Sequence, residues 1–177
     1  MKLTSFDPQR DFDTIKDWIT DKRTHTMWCG RNFAFPLEKE DFIRGYAGFA
    51  ERFGDVPYLA VSDEGEAQGF FSLCKEPETG EYLLKIVVVK PRCRGTGAAR
   101  EMLRLAAERA FSDAGAPAVH LKVFLENVRA KRCYESVGFT ERSTKHDALS
   151  YGEESWSLCD MVLPRPGGAA PVIYNET

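Results

Sequence analysis

Val87-Val88-Val89-Lys90-Pro91-Arg92-Cys93-Arg94-Gly95-Thr96-Gly97-Ala98-Ala99 is the stretch on which the fold turns. A β-branched run ends at Lys90-Pro91, and two arginines lead into Gly95-x-Gly97. Met102, Leu103, Leu105, Ala106 and Ala110 follow at a spacing that buries one face of a helix. A strand that feeds a glycine turn at a helix start presents unpaired backbone N–H groups and the positive end of the helix dipole. Such a place seats a phosphate or pyrophosphate. Gly95 and Gly97 let the backbone approach the anion with no Cβ in the way, and Arg92 or Arg94 can add charge-assisted bonds. Two other phosphate patterns are not met. No Gly-Lys-Ser/Thr ending is present, and Arg100 stands where a dinucleotide fingerprint has its third glycine. On these residues alone, a turn that uses glycine for geometry only stands beside the anion reading.

The rest of the chain bounds the answer. A length of 177 residues fits one domain with a substantial core. A formal charge of -3 and a pI near 5.7 argue against a general nucleic-acid binder. No apolar stretch approaches a bilayer span, and MKLTSFDPQR has no signal-peptide core, so no membrane partner is expected and the cytoplasm is the expected location. The five cysteines, Cys29, Cys74, Cys93, Cys133 and Cys159, form no C-x-x-C pair, and neither a metal site nor a disulfide framework is expected.

Hydrophobic periodicity predicts one continuous domain over 1–163 and a tail over 164–177. Lys2 to Phe6 reads as a strand, Pro8 to Thr20 as a helix with Phe12, Ile15, Trp18 and Ile19 on one side, Thr24 to Pro36 as irregular, and Leu37 to Arg52 as a second helix. Pro57 to Ser62, Ala67 to Cys74 and Tyr82 to Val89 are strands joined by short turns, hence antiparallel neighbours. A helix from Gly97 to Asp113 follows, closed by Gly115. Return through that helix makes Val119 to Leu125 parallel to the preceding strand. Asn127 caps a short helix that ends before Gly138. Phe139 to Ser143 and Ser155 to Leu163 read as a final hairpin with a long loop.

Two motifs in this order resemble the GNAT superfamily of acyl-CoA-dependent N-acetyltransferases. Arg92-Cys93-Arg94-Gly95-Thr96-Gly97 is similar to the Q/R-x-x-G-x-G/A pyrophosphate loop. Asn127 to Phe139 is similar to N-x-x-A-x-x-x-Y-x-x-x-G-F. The match spans about Leu83 to Phe139; the N-terminal third agrees only in the order of its elements. The resemblance implies an α/β (α+β) fold: a mixed, mostly antiparallel, twisted sheet of about seven strands with helices on both faces. It implies acetyl-CoA as cosubstrate, with its pyrophosphate on backbone N–H groups from about Arg94 through Gly95, Thr96 and Gly97 to Ala98. It further implies that pantetheine runs beside Val87, Val88 and Val89 and meets Asn127, and that the chain forms a homodimer, as superfamily members do.

The resemblance also implies a role for Tyr134. Amine attack on a thioester expels a thiolate, and a phenol near the sulfur can donate a proton to it; reference values of about 10 for the phenol and about 8.5 for the thiol permit that transfer without driving it strongly. Three groups stand open as the base. Many superfamily members carry a glutamate where this chain has Leu83; Glu81, two residues earlier, shares that face. His120 has a suitable reference pKa, and water can carry the proton to bulk. Ribosomal-protein N-terminal acetyltransferases place a glutamate where this chain has Lys122, a departure that favours a small-molecule amine over a peptide. The acceptor pocket is expected from the first two helices and the last hairpin, with Trp18, Met27, Trp28, Phe33, Phe35 and Tyr46 as aromatic and apolar candidates and Glu38, Glu40 and Asp41 as acidic ones. The rival readings are a peptide or protein N-acetyltransferase and an acyl-CoA sensor that performs no chemistry.

Overall fold

The computed structural model describes residues 1–168, so most of the expected tail lies outside the described residues. Seven strands form one sheet: β1 (Lys2–Ser5), β2 (Val56–Val61), β3 (Ala67–Lys75), β4 (Tyr82–Val89), β5 (Ala118–Phe124), β6 (Thr140–Tyr151) and β7 (Glu154–Pro164). Their order is β1-β2-β3-β4-β5-β7-β6. Every neighbouring pair is antiparallel except β4 and β5, which run parallel as the helical return requires. The helices are α1 (Pro8–Ile15), α2 (Lys22–Cys29), α3 (Lys39–Phe53), α4 (Ala98–Phe111) and α5 (Val128–Glu135). Among the described residues no helix is long and apolar enough to cross a membrane.

Strand alternation divides the core into two halves. Leu84, Val119, Leu121 and Val123 face α4 and α5, meeting Met102, Leu103, Ala106 and Ala110. The small alanines let α4 lie close to the sheet. On the other face Leu59, Phe70, Ile86 and Val88 meet Phe12, Ile15, Phe42 and Tyr46 from α1 and α3. Phe42 is the hub there: its ring contacts those of Phe6, Phe12, Phe33 and Tyr46 at centroid distances of 6.1, 5.6, 4.9 and 5.5 Å.

Three expectations are corrected. The stretch from Thr24 onward is not irregular at its start: α2 runs to Cys29, begun by Asp21, whose side chain accepts from the Thr24 N–H at 2.8 Å, and closed by Gly30 at φ +62. The last hairpin has no long loop. β6 continues to Tyr151 through irregularities between Glu141 and Ser143 and between Lys145 and Leu149, and it turns at Gly152. The last strand does not stop at Leu163. β7 includes Pro164, and the Arg165 guanidinium donates to the carbonyls of Ala116 (2.7 Å) and Phe111 (3.0 Å), which ties it to the α4–β5 turn.

Phe42→Ala empties the centre of the second core half, where the ring is fully buried. A loss of about 3–5 kcal/mol is expected, read as a lower urea midpoint with an unchanged m-value; a change below about 1 kcal/mol would contradict this packing.

Candidate functional site

β4 and β5 pair over three residues only, Tyr82 with Val119, Leu83 with His120 and Leu84 with Leu121. Beyond that they part. β4 holds its pairing with β3, and β5 is paired with β7 along its whole length, so the inner edges from Lys85 to Val89 and from Lys122 to Phe124 have no ladder partner in each other. The break coincides with a bulge: between Phe70 and Ser72 on β3, β4 takes an extra residue, and Ile86 stands at φ 44. A β-branched residue there is strained, and the extra residue re-aims the strand.

Main-chain direction past the bulge follows from one bond. The Lys90 N–H donates to Gln68 O of β3 at 2.9 Å, so by alternation the groups of Val89, and of Val87 before it, point to the opposite edge, into the opening. The Arg94 Nε donates to Val89 O there, at 3.1 Å. The Val88 side chain is buried against the α1–α3 half of the core.

At the mouth of the opening Gly95 and Gly97 adopt φ +84 and +93, values that L side chains seldom take. Thr96 Oγ1 donates to Cys93 O at 2.8 Å and closes the turn. Gly97 caps α4 with no side-chain hydrogen bond, which leaves the first N–H groups, from Ala98 onward, to a ligand. The arginines behave differently from one another. Arg92 pairs with Glu66, on the β2–β3 turn. Arg94 spans from Val89 O to Trp18 O (2.8 Å) and so fastens the loop to the turn after α1. Burial first, and then the nearby charge of Arg129, holds the Arg94 guanidinium below its ordinary pKa. Two cations so placed at a helix N-terminus favour an anion between them. Arg129 was not among the sequence candidates; its one signal is its place two residues after Asn127.

Across the opening, Asn127 Oδ1 accepts from the Ala130 N–H at 3.3 Å, and its amide NH2 remains a donor. Tyr134 lies on α5 with its ring edge-on to Phe139, centroids 6.0 Å apart, and is only 9% exposed. Burial pushes its phenol well above the ordinary value, so it stays protonated. Among the described residues its hydroxyl makes no hydrogen bond.

The expected acidic base sits in a charged network. Glu81 accepts from Arg142 Nη1 at both oxygens, 2.9 and 2.7 Å, and Arg142 also reaches Asp160 Oδ2, which in turn lies in the same carboxylate as an oxygen 3.2 Å from His120 Nδ1. Lys122 is exposed, one residue past the last β4–β5 pair and on the His120 face.

Of the acceptor candidates, Trp18, Phe33 and Tyr46 are buried in the core, and Asp41 is occupied by Ala34 N and Arg44. A cavity of about 810 Å³ lies between α2, the loop after it and the β6–β7 tip, lined by Lys22, His25, Arg31, Phe35, Asp41 and Tyr151 among others. Arg23 ties α2 to β7: the guanidinium grips Glu154 bidentately at 2.5 and 2.9 Å and lies 5.0 Å from the Trp156 ring centroid. That pairing, helped by Trp156 Nε1, holds the Glu154 carboxyl down at about 2.

The profile of the acetyltransferase (GNAT) family matches residues 7–139. Solved structures agree in fold. The spermidine N-acetyltransferase from Vibrio cholerae in complex with CoA and spermine superposes with a TM-score of 0.78 at 17% identity, over 93% of this chain and 95% of that one. A putative phosphinothricin N-acetyltransferase gives a TM-score of 0.70 at 17% identity, over 92% of this chain and 97% of that one.

If the loop is the anion seat, acetyl-CoA at 100 times its Kd should raise the unfolding free energy by about 2.7 kcal/mol. Gly97→Glu should abolish the accompanying thermal shift, and Arg129→Ala should weaken it and flatten its salt dependence. An undiminished shift in Gly97→Glu would put the anion elsewhere.

Proposed function

The chain belongs to the acetyltransferase (GNAT) family and is an acyl-CoA-dependent N-acetyltransferase; on that premise we propose that it moves the acetyl group of acetyl-CoA to a primary amine of a small molecule, by direct attack, with Tyr134 as general acid. The observation that carries the reading is the pair of unpaired inner strand edges that lead from the glycine turn past Asn127 toward Tyr134. Extended amide-bearing chains dock on such edges as an added strand would. The main-chain groups of Val87 and Val89 would hold the pantetheine amides, with Val88 backing them from the core. The N–H groups of Gly95 to Ala98 would take the pyrophosphate, with Arg94 and Arg129 beside it. Arg92, spent on Glu66, would stiffen the loop from behind.

Acetyl-CoA supplies an acyl group on a thioester. The amine nitrogen attacks the carbonyl carbon, the C–S bond breaks, and the sulfur leaves as a thiolate that accepts a hydrogen bond, then a proton, from the Tyr134 phenol. Because burial raises that phenol, full transfer to a thiolate of reference pKa about 8.5 is uphill, and the phenol acts chiefly by donating a hydrogen bond as charge develops on sulfur. Burial pushes up the thiols of Cys29 (to about 11), Cys74, Cys133 and Cys159, which withholds at those four positions the thiolate that a cysteinyl intermediate would need. Of the three groups open as the base, Glu81 would lose its two bonds to Arg142 on taking a proton, and His120 Nε2 is shut away from solvent; water is therefore assigned the amine proton. A small acceptor suits a cavity of about 810 Å³, within the range of small-molecule pockets. Lys122 stands where the peptide N-terminal acetyltransferases have a glutamate base, and a lysine ammonium cannot take that role. Two of the similar structures are named for acetylation of small amines, spermidine and phosphinothricin.

Tyr134→Phe should bind acetyl-CoA normally, by the same thermal shift, and lose more than about tenfold in kcat; unchanged turnover would remove the acid role. In free-thiol release assays over a panel of polyamines, aminoglycosides, amino acids and N-terminal peptides, activity should appear with a small amine. Activity confined to the peptides would overturn the small-molecule reading. The raised phenol predicts no descending limb in kcat from Tyr134 up to about pH 10. A fall near pH 8 that vanishes in Tyr134→Phe would contradict it. Glu81→Gln should retain kcat within about threefold, whereas a loss on the scale of general-base catalysis, about 100-fold, would restore Glu81 as base.

A further inference from the structure

A second cluster of titratable groups lies at the closed end of the wedge, outside the chemistry assigned to Tyr134. The β3–β4 turn is shut by two main-chain bonds, Glu76 N to Glu81 O at 2.8 Å and Gly80 N to Glu76 O at 2.9 Å, which bring Glu76 and Glu81 together at its mouth. β5 runs alongside, with His120 in register with Leu83. One ligand atom from each of Glu76, Glu81 and His120 lies within 4.8 Å of the other two.

The imidazole is the informative member. Its side chain is only 4% exposed, with Nδ1 3.2 Å from Asp160 Oδ1 and Nε2 3.3 Å from Glu76 Oε1. Nε2 is fully shielded and has no hydrogen-bond partner. A neutral imidazole carries one N–H. If that proton serves Asp160, the Nε2 lone pair confronts a carboxylate oxygen at close range, away from water. Something positive has to stand between them. The carboxylate of Glu76 is itself oriented for this, since Thr79 Oγ1 donates to Oε2 at 3.2 Å and leaves Oε1 toward the ring.

We propose that Glu76, Glu81 and His120 bind a divalent transition-metal ion, Zn²⁺ being the representative case. Metal bonds of about 2.0–2.2 Å at tetrahedral angles place ligand atoms about 3.4 Å apart, which matches the 3.3 Å between Nε2 and Oε1. The cluster is net acidic: Glu76, Glu81 and Asp160 contribute three negative charges against Arg142 and the exposed Lys122, the register partner of Asp160. A mixed imidazole and carboxylate set suits Zn²⁺, Co²⁺ or Mn²⁺ better than Ca²⁺ or Mg²⁺. Asp160 holds the Nδ1 side of the ring, as the outer carboxylate of histidine-ligated metals does. Arg142 uses two lone pairs of Glu81, and a carboxylate has about four. The ion would clip the β3–β4 turn to β5 at the point where the two parallel strands are still joined.

The test uses the full chain, stripped with a chelator and titrated with Zn²⁺ alone by calorimetry and with Co²⁺ by visible absorption. One equivalent should bind with a Kd in the micromolar range or tighter, and Glu76→Gln should weaken it by at least about tenfold. Glu76 lies at a strand end with its side chain 36% exposed, so this variant should fold, and a retained acetyl-CoA thermal shift verifies that. His120→Gln, read the same way, should lose the spectroscopic signature of a nitrogen ligand. Absence of saturable binding up to about 1 mM metal, or binding that Glu76→Gln leaves unchanged, overturns the site. Nuclear magnetic resonance of a metal-free His120 with both nitrogens protonated would then identify a proton as the charge in the gap.

Discussion

The failure of β4 and β5 to stay paired beyond Leu84 and Leu121 is the constraint from which the site follows. Buried main-chain N–H and C=O groups seek partners, so two parallel strands side by side would ordinarily close. Here the extra residue at Ile86 re-aims β4 away from the course of β5, while each strand keeps its outer neighbour, β3 for β4 and β7 for β5. The wedge is therefore a property of the sheet rather than of a loop. The two segments that leave it, the glycine turn at the end of β4 and the Asn127-capped α5 at the end of β5, necessarily flank its mouth.

The wedge is also electrically two-ended, which a net charge of -3 over the chain conceals. Its open end has the α4 N-terminus, Arg94 and Arg129, cations close enough that one depresses the other. Its closed end gathers Glu76, Glu81 and Asp160 around a single arginine, Arg142. Like charges held together at both ends repel, and at the closed end the largely buried Arg142 offsets part of that repulsion by pairing with Glu81 and Asp160. The proposed phosphate at one end and the proposed cation at the other would each relieve what remains.

The fold was legible wherever local pattern and tertiary demand coincide. The strand run before Lys90, the small-residue face of α4 and the Asn127 cap each state their structure within a dozen residues, and the parallel return of β5 follows from the helix between. α2 was missed because its large side chains and threonines weigh against a helix, although Asp21 and Gly30 bracket it with a cap and a stop. The long hairpin was missed for a different reason. His146, Asp147 and their neighbours lie on a projecting ribbon with exposed residues on both faces, so no alternation of burial marks the strand, and two irregularities break what alternation there is.

The same distinction divides the candidate site. The coenzyme half is written in main-chain geometry: two glycines, a helix start and a strand edge, all near one another in sequence and hence readable as a motif. The proposed acceptor cavity and the proposed metal cluster are assembled from side chains on elements far apart. Arg23 and Glu154, 131 residues apart, clamp α2 to the hairpin; the Glu76, Glu81 and His120 trio spans a turn and a strand on either side of α4. No spacing rule connects such residues. A main-chain cradle asks little of the side chains around it beyond glycine where φ is positive, so α2 and the β6–β7 tip are free to change without disturbing coenzyme capture. The Arg23–Glu154 clamp fixes how far those two elements stand apart, and so sets the width of the cavity proposed for the acceptor.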